Sequence, residues 1–549
     1  MNCCWMICRC ALGWLVGLSL LAGSARAQTV TLAQPVPATD DLAVVVENGA
    51  RLERDRRWAE ALTHWEDAFK QHPDRKDFQE KAIFCRAHYD VCRRYGDQTY
   101  VKALGSLSER DALAIYDEVL LKVQAHYVHE PQWQRLVYSG LTHMEVAVTE
   151  APFVDRNLAT TPVEQLAALQ GEVRQLVAAR KVADRRQAYD LVQSVAASLR
   201  GRYGLSTQAV IFEFTSGAAA ALDEYSGFLT GGQMDEVFSQ IEGNFVGLGV
   251  ELKTEPAGLW IVNVIQSGPA WQGGIRQGDR IVAVDGKTTA EVSPDTMADL
   301  LRGAEGSLVD VVVRDSLNNE RRMRLARRRV EVPSVDQVQM LDTQHGVGYF
   351  KLSSFQKTTS RDVDAALWRL HEQGLRVLMI DLRGNPGGLL KAAVDVADKF
   401  VYDGLIVATR GRSPREDFDH RGEVAGTWRV PLVLLIDHDS ASASEILAGA
   451  IRDHKRGTIV GEKSYGKGSV QGIFPLAAAN VGIRLTTAKW YTPVGQAISG
   501  AGIKPDVVVQ SVARPIDGSA QQPTADAILS AGLQAARSQV AGQPVSRRQ

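Results

Sequence analysis

Four apolar segments in the C-terminal half of the chain alternate with helical stretches, and this alternation limits the folds that the sequence can adopt. The segments are GVGYFKL, LRVLMIDLRG, VPLVLLID and GTIVGE, and SRDVDAALWRLHEQ and LLKAAVDVADKF are among the helical stretches between them. Strands that are apolar throughout must be buried on both faces. The pattern therefore predicts a largely parallel sheet covered by helices, in an α/β core over residues 331–510.

The remainder of the chain divides by composition into further units. With 549 residues, the sequence is too long for a single hydrophobic core. Helical periodicity dominates up to about residue 242, and short β-rich segments punctuated by Gly, Asp and Pro follow it. We predict a multidomain α+β protein with these units: a signal peptide at 1–27, a linker at 28–40, a helical hairpin at 41–105, a helical region at 106–242, a β-rich module at 243–330, the α/β core at 331–510 and a polar C-terminal tail at 511–549 with one helix from Ala525 to Val540.

The first 27 residues have the composition of a secretory signal peptide. Arg9 precedes the apolar run ALGWLVGLSLLAG, and SARA before Gln28 offers a small-residue cleavage site. The run is too short to span a bilayer comfortably. We therefore expect an exported protein, periplasmic or associated with the cell envelope, that meets the membrane only through its signal. The alternative is a signal that is retained as an anchor.

Cysteine content and charge exclude several classes of protein. Four of the six cysteines lie in the signal segment, and Cys85 and Cys92 lie about 10.5 Å apart along one helix, too far for a disulfide. We expect both to be buried thiols. The 62 basic and 64 acidic residues leave no electrostatic footprint for nucleic acid. Neither HExxH nor a Cys/His ligand spacing occurs, so we expect no metal site.

The N-terminal segment RRWAEALTHWEDAFKQHPDRKDFQEKAIFCRAHY resembles one tetratricopeptide-type helical hairpin. Trp58, Leu62, Trp65 and Phe69 follow the helical spacing, and HPD ends the first helix. Stable arrays of such repeats need several copies. We predict an accessory hairpin, with a peptide-binding repeat as the alternative. An adaptor or a second copy of the chain is the expected partner of these helices.

Three further segments carry the residue types that acyl transfer requires, namely a nucleophile, a base and two N–H donors. The glycines of DLRGNPGG allow backbone amides to approach a ligand closely. In SASASE, Ser442 lies at a strand-to-helix turn, where the amide of Ala443 is free. GEKSYGKGSVQ places Lys467 between two glycines, and a buried lysine has a lowered pKa that suits a base.

Each of these segments has a structural interpretation as well. SASASE is a good helix N-cap sequence with Glu445 in its first turn. A lysine flanked by glycines is usually a solvated loop residue. His438 and His454 lie close enough in the sequence to compete with Lys467 as the base.

Residues 243–330 resemble a PDZ domain. The resemblance rests on GLGV, on SGPAWQGGIRQGDRIVAVDGK and on VDVVVRD. PDZ domains bind an extended peptide as an added strand, and a backbone nest accepts its terminal carboxylate. The resemblance implies that the substrate tail binds at Gly247, Leu248, Gly249 and Val250. For GLGV alone, a hairpin turn is the alternative interpretation.

From about residue 222 to residue 508, the sequence resembles the C-terminal processing (tail-specific) protease family. The resemblance rests on DLRGNPGGLL, SASASEILAGAIRDHKRGTIVGEKSYGKGSVQ and LTTAKWYTPVGQAISGAGIKPDV. It implies a crotonase-like core and a serine endopeptidase that uses a Ser/Lys dyad, recognises the C-terminal region of its substrate through the PDZ domain and needs no metal or organic cofactor. We expect its substrates to be proteins with exposed apolar C-termini. The residues that match the family's motifs are Ser442 as nucleophile, Lys467 as general base, Gln471 as the residue that orients the lysine, and Ala443 with Gly387 or preferably Gly388 as oxyanion donors.

The sequence departs from the family pattern at three places. LDEYSGFLTGGQ lacks the usual Pro after Asp and the acidic continuation, Lys391 stands where an acidic residue is common, and GQAIS replaces a more basic run. None of these changes removes a member of the Ser/Lys pair. Two other functions were weighed: a proteolytically idle PDZ and hairpin scaffold of the same fold, and a hydratase-like enzyme, which would have no use for a PDZ domain.

Overall fold

The computed structural model describes residues 39–255, 258–288, 291–292, 297, 300–423, 427–509 and 526–541. The predicted signal peptide, nearly all of the predicted linker and much of the predicted tail lie outside these residues. Within them the protein has the predicted multidomain α+β fold. No helix in the described ranges has the length and the apolar character needed to cross a membrane.

The helices of the described residues lie mainly before the β-rich module. They are α1 (Thr39–Arg54), α2 (Trp58–Gln71), α3 (Lys76–Gly96), α4 (Gln98–Ser106), α5 (Glu109–His126), α6 (Trp133–Ala147), α7 (Ala151–Asn157), α8 (Val163–Ala178), α9 (Arg185–Tyr203), α10 (Thr207–Ala220), α11 (Gly231–Glu242), α12 (Pro269–Gln272), α13 (Thr359–Glu372), α14 (Leu390–Asp398), α15 (Ala443–Asp453) and α16 (Ala527–Ala541), with a 3-10 turn at Pro414–Glu416.

The strands follow the last of the N-terminal helices. They are β1 (Gly227–Leu229), β2 (Asn244–Gly247), β3 (Val250–Glu255), β4 (Gly258–Val264), β5 (Arg280–Val284), β6 (Lys287–Thr288), β7 (Leu308–Arg314), β8 (Glu320–Ala326), β9 (Arg328–Glu331), β10 (Val335–Asp342), β11 (Val347–Leu352), β12 (Val377–Asp381), β13 (Gly404–Gly411), β14 (Phe418–Gly422), β15 (Leu432–Ile436), β16 (Thr458–Gly461), β17 (Ser469–Pro475), β18 (Gly482–Tyr491) and β19 (Val507–Val508).

The predicted hairpin is formed by α2 and α3, and α1 packs against α2. Trp65 is buried at the centre of this unit, and a side chain on Gly49 of α1 would collide with its ring. Cys85 and Cys92 both lie on α3 as free thiols, Cys85 buried and Cys92 half-buried. Burial raises the pKa of each thiol to about 12, which keeps both protonated at neutral pH. The prediction that they form no disulfide is confirmed.

A second helical unit surrounds α10. Nearly every residue of α10 is buried, including Phe212 and Phe214, which is typical of a helix that lies at the centre of a bundle. Helices α5, α6 and α9 pack around it. In the middle of α10, Glu213 forms a buried ion pair with Arg94 of α3, and the C-terminal part of α3 belongs to the core of the bundle, whereas the rest of the hairpin has a hydrophobic cluster of its own.

The β-rich module is joined to the rest of the chain by two paired strands. The entering strand β2 is antiparallel to the leaving strand β9, and Asn244 lies opposite Glu331. Between them, the module's sheet has the order β3-β4-β5-β7-β8, with β6 paired to β5. Strand β3 is an edge of this sheet, and it directly follows the GLGV loop.

The α/β core is built on a six-stranded sheet with the order β10-β11-β12-β15-β16-β19. All its strands are parallel except β10, as the alternation of apolar strands and helices predicts. Successive residues of β12 point to opposite faces, and both faces are buried. Leu378 and Ile380 pack with α13, α14 and α15, whereas Val377 and Met379 face α16.

Helix α16 covers one whole face of this sheet. It lies where the sequence predicts a helix within a polar tail, but it packs as part of the core: Ile528, Ala536 and Val540 are buried against the sheet. Asp526 precedes the helix, accepts a hydrogen bond from Leu529 N (2.9 Å), and forms an ion pair with Arg383 (2.7 Å).

A charged residue at the buried face of α16 should destabilise the core. We expect Ala536→Asp to lower the free energy of unfolding by about 3 kcal/mol, because it places an unpaired carboxylate against the apolar sheet. The control is Gln534→Asp, the same new residue at an exposed position of the same helix, with an expected change under about 0.5 kcal/mol. Urea unfolding of both variants measures the difference, and equal losses would contradict the packing described here.

Candidate active site

A glycine turn and a serine turn meet at the ends of the parallel strands β12 and β15. Ser442 ends the turn between β15 and α15, with φ 55° and ψ −114°. This backbone conformation is costly for any residue other than glycine. A strained serine at a strand-to-helix turn is typical of a nucleophile, because the turn holds its side chain at the end of the sheet.

The three serines of SASASE have different environments. Ser440 is fully buried, and its Oγ donates to Leu382 O (2.9 Å). Ser444 is also fully buried, and its Oγ donates to Asn385 O in the glycine turn (2.9 Å). Ser442 is only half-buried. The flanking serines therefore fasten the turn, and Ser442 is the accessible one.

The glycine turn lies against Ser442 closely enough to exclude any side chain. A Cβ atom on Gly387, whose φ is +103°, would lie 2.8 Å from Ser442 Cβ and 2.8 Å from Ala443 N. Asn385, which sequence reasoning did not single out, holds this turn in place. Its side chain donates to Leu352 O (2.8 Å) and accepts from Gly387 N (2.9 Å).

Two backbone amides beside Ser442 have no acceptor among the described residues. They are those of Ala443, at the start of α15, and of Gly388. The amide of Gly387 is already used by Asn385. Of the two glycines, Gly388 is therefore the one whose N–H is available to a ligand.

The fully buried carboxylate of Glu445 joins the serine turn to the lysine loop. Its Oε2 accepts from Ser442 N (2.7 Å) and Lys467 N (2.9 Å), and its Oε1 accepts from Ser464 Oγ (2.6 Å) and Gly466 N (2.7 Å). The sequence suggested only a helix-capping role for this residue. In the structure it fixes the backbones of Ser442 and Lys467 to the same carboxylate oxygen.

Lys467 lies in the loop between β16 and β17. Its Nζ is 4.7 Å from the centre of the Tyr225 ring, and no hydrogen bond joins it to Ser442 Oγ in the part of the chain that the structure describes. Burial lowers the pKa of Lys467 below its usual range, and the nearby charge of Arg484 lowers it further. The carboxylates of Glu224, Glu445 and Asp223 act in the opposite direction.

Gln471 lies on β17, four residues beyond Lys467. Its amide donates to Ser469 Oγ (2.9 Å) and Thr486 Oγ1 (3.4 Å). Within the described residues it makes no hydrogen bond to Lys467. The structure thus places Gln471 on the strand that directly follows the lysine loop, without the direct contact that an orienting role predicts.

The two histidines that compete with Lys467 lie elsewhere. His438 is exposed, and its ring lies beside Glu462 (3.2 Å) and Asp439 (3.3 Å). His454 lies at the other end of α15, about 18 Å along the helix from Ser442, and its Nε2 contacts Leu405 O (2.7 Å). Neither contacts the serine.

The GLGV loop lies between β2 and β3, at the open edge of the module's sheet. Gly249 has φ +79°, Leu248 is buried, and Leu248 O accepts from Ala270 N (2.9 Å). Val250 begins the edge strand. Elsewhere in the described ranges, no group of three or more His, Cys, Asp or Glu side chains is arranged to hold a metal ion.

Two family profiles match the chain. The profile of peptidase family S41 matches residues 346–509, which include the glycine turn, Ser442 and Lys467. The profile of the PDZ domain matches residues 260–315.

Several relatives share the same region. A carboxy-terminal-processing protease of Bartonella bacilliformis is 36% identical over 311 residues, 55% of this chain and 70% of that protein. A carboxyl-terminal-processing protease of Synechocystis is 39% identical over 48% of this chain and 62% of its own length. A probable CtpA-like serine protease of Staphylococcus haemolyticus is 31% identical, over 53% and 58% respectively. Among solved structures, a photosystem II D1 C-terminal processing protease is 25% identical and covers 74% of this chain and 95% of its own, with a TM-score of 0.37.

Replacing the Glu445 carboxylate should loosen both turns at once. In Glu445→Gln, an amide NH₂ group must face two of the four donors, so we expect a loss of about 3 kcal/mol in the free energy of unfolding. We also expect slower labelling of Ser442 by a fluorophosphonate. Asp439→Asn, at an exposed carboxylate nearby, is the control and should change neither quantity. Wild-type labelling in Glu445→Gln would show that this carboxylate does not position the serine.

Proposed function

The chain belongs to peptidase family S41, among the carboxyl-terminal-processing proteases, and from this premise we propose that it is an exported serine endopeptidase with a Ser442/Lys467 dyad. It cleaves proteins at or near exposed apolar C-termini, and its PDZ domain binds the substrate tail. The observation that carries the proposal is the shared Glu445 oxygen, which holds the backbones of a strained serine and a buried lysine together.

In the proposed mechanism, Ser442 Oγ attacks the scissile carbonyl while neutral Lys467 Nζ takes its proton. Lys467 then gives this proton to the leaving amine as the C–N bond breaks and the acyl-enzyme forms. Water hydrolyses the acyl-enzyme, with Lys467 taking a proton from the water and returning it to Ser442 Oγ. Burial lowers the pKa of Lys467, which is the direction that a lysine base needs, because a lysine with its usual pKa is protonated at neutral pH. Gln471 is proposed to orient the lysine when the two approach each other.

The amides of Ala443 and Gly388 are proposed to form the oxyanion hole. Both lack an acceptor in the described ranges. Ala443 directly follows Ser442, and Gly388 directly follows Gly387, which lies against the Ser442 side chain. A tetrahedral intermediate at Ser442 would carry its negative oxygen between them, at the positive N-terminal end of α15. Because Asn385 occupies the Gly387 amide, we assign the second donor to Gly388.

The PDZ domain is proposed to hold the substrate tail as an added strand beside β3. Support comes from the position of β3 as an edge strand of the module's sheet and from the positive φ of Gly249, which turns the loop before that strand. The apolar run at residues 11–23 supports export. For the helical hairpin we propose contacts with an adaptor or a second copy of the chain.

A second candidate function is a proteolytically idle scaffold of the same fold. The observation that favours it is the lack of a hydrogen bond between Ser442 Oγ and Lys467 Nζ among the described residues. Tight binding of apolar tails by the purified protein, without cleavage of any unfolded protein, would support this function over the first.

Substitution of either dyad member should abolish cleavage. We expect wild-type protein to cut an unfolded protein that ends in three apolar residues, Ser442→Ala to show no cleavage above background, and Lys467→Ala to be at least about 100-fold slower. The same substrate ending in three aspartates controls for the tail and should be cut more slowly. Cleavage by Ser442→Ala would rule out this nucleophile.

The charge of Arg484 should influence the acidic limb of the pH profile. Activity needs neutral Lys467, so it rises with pH through the lowered lysine pKa and is lost as pH falls below it. Arg484 lowers that pKa, so Arg484→Gln should raise it and move the acidic limb to higher pH, with a roughly severalfold loss of activity on the limb. Arg421→Gln, at an exposed arginine of β14, is the control. An unmoved limb would count against Lys467 as the titrating base.

A further inference from the structure

We infer that Glu224 and Tyr225 hold the Lys467 ammonium group away from Ser442 in the substrate-free protein, and that the lysine must leave this Glu224–Tyr225 pair to act as the base. The inference rests on the proposed role of Lys467. It assigns a positioning function to two residues that lie outside the dyad, in the segment LDEYSGF that departs from the family pattern.

The first support is the position of the lysine itself. Its Nζ lies 4.7 Å from the centre of the Tyr225 ring, within the range of a cation–π contact, and it has no hydrogen bond to Ser442 Oγ among the described residues. The backbone of Lys467 is already fixed next to the serine turn by Glu445. The conformation of the lysine side chain, which lies over the ring of Tyr225, therefore determines that Nζ makes no hydrogen bond to Ser442 Oγ among the described residues.

The second support is the way in which the Tyr225 ring is held. Burial raises the pKa of Tyr225 above its usual range, and the neighbouring side chains of Glu224 and Tyr465 act in the same direction. Tyr465 lies two residues before Lys467, and its backbone N–H donates to Ser440 O (3.0 Å). The Tyr225 ring therefore lies between its own turn and the lysine loop.

The turn that carries the pair is fixed to β18. The Asp223 carboxylate accepts from the amides of Tyr225 (2.8 Å) and Ser226 (2.9 Å) and from Thr486 Oγ1 (3.1 Å). Arg484 Nε donates to Tyr225 O (2.7 Å). Because Thr486 also accepts from Gln471, one short turn is connected both to the lysine side chain and to the glutamine proposed to orient it.

Among the carboxylates that favour the ammonium form of Lys467, Glu224 is the one that accepts no backbone hydrogen bond among the described residues. Arg484 on β18 opposes the ammonium form, whereas Glu445 on α15 and Asp223 and Glu224 in the turn favour it. Glu445 and Asp223 each accept several hydrogen bonds from the backbone. Glu224 is exposed, and its carboxylate acts together with the electron-rich face of the Tyr225 ring.

Removing the ring should therefore release the lysine and make it easier to deprotonate. In Tyr225→Leu we expect the acidic limb of kcat/KM, measured on the unfolded protein with an apolar C-terminus, to move to lower pH. At a fixed pH on that limb, activity should rise by about two- to thirtyfold, the range of a cation–π contact. Tyr225→Phe keeps the ring and should keep the wild-type limb. An unmoved limb in Tyr225→Leu would overturn the inference.

A second variant covers the case in which Tyr225→Leu fails to fold. Glu224→Gln removes one exposed charge and retains an acceptor for the Tyr225 hydroxyl. It should move the acidic limb in the same direction by a smaller amount, and less at high salt. A limb that stays in place, or moves to higher pH, would contradict the role of Glu224.

The failure of the inference can be told apart from the failure of the proposed function. Fluorophosphonate labelling of Ser442, followed against pH, needs no substrate tail. If labelling loses its acidic limb in Lys467→Ala but Tyr225→Leu retains the wild-type limb, the dyad stands and the Glu224–Tyr225 pair does not hold the lysine. If Lys467→Ala labels and cleaves like the wild type, the proposed function itself fails.

Discussion

The arrangement of the candidate site depends on one buried carboxylate. Glu445 is fully enclosed and accepts hydrogen bonds from three backbone amides and one hydroxyl, contributed by the serine turn and the lysine loop. An ionised group removed from water is tolerable only when such donors replace its hydration. The two loops must therefore keep their relative positions for the carboxylate to stay satisfied, and this requirement sets the backbone of the site independently of any substrate.

The glycine turn is fixed by a different means. Asn385 connects it to β11, to the serine turn and to the amide of Gly387, so the donors beside Ser442 are aligned by hydrogen bonds within the protein. Prealigned donors need little reorganisation when charge develops on a substrate. The lysine side chain is the exception, because its terminal group lies on an aromatic ring and not on the serine. The backbone groups of the candidate site are thus aligned around Ser442, whereas the side chain of Lys467 is not directed at it.

Much of the fold could be predicted from local patterns. The four apolar strands, the hairpin helices and the strand-to-helix turn at Ser442 each follow from residues that are close in sequence. The packing of α16 could not be predicted in this way. Its sequence predicts a helix, but it does not indicate which face of the sheet the helix covers. Gly532 of α16 contacts Leu435 of β15, almost 100 residues earlier in the chain.

The same limit applies to the site. The motifs place Ser442 and Lys467 near each other, since a helix and a strand between them bring the chain back. The contact of Lys467 with Tyr225 joins residues 242 positions apart and depends on how β1 pairs with β18. Glu445 has a familiar place in a capping sequence, and only the three-dimensional arrangement shows that its carboxylate also receives the lysine loop.

The pairing of strands β2 and β9 affects how the sequence of such a protein can evolve. The chain enters and leaves the PDZ domain at neighbouring points, so the domain is an insertion whose two ends are already held together. Lengthening, shortening or replacing the inserted segment leaves the spacing of those ends unaltered, and the catalytic sheet begins only after them, at Val335. The proposed recognition of substrate tails and the proposed cleavage chemistry are therefore carried by segments that can acquire substitutions separately, so that one catalytic core could serve different sets of substrates.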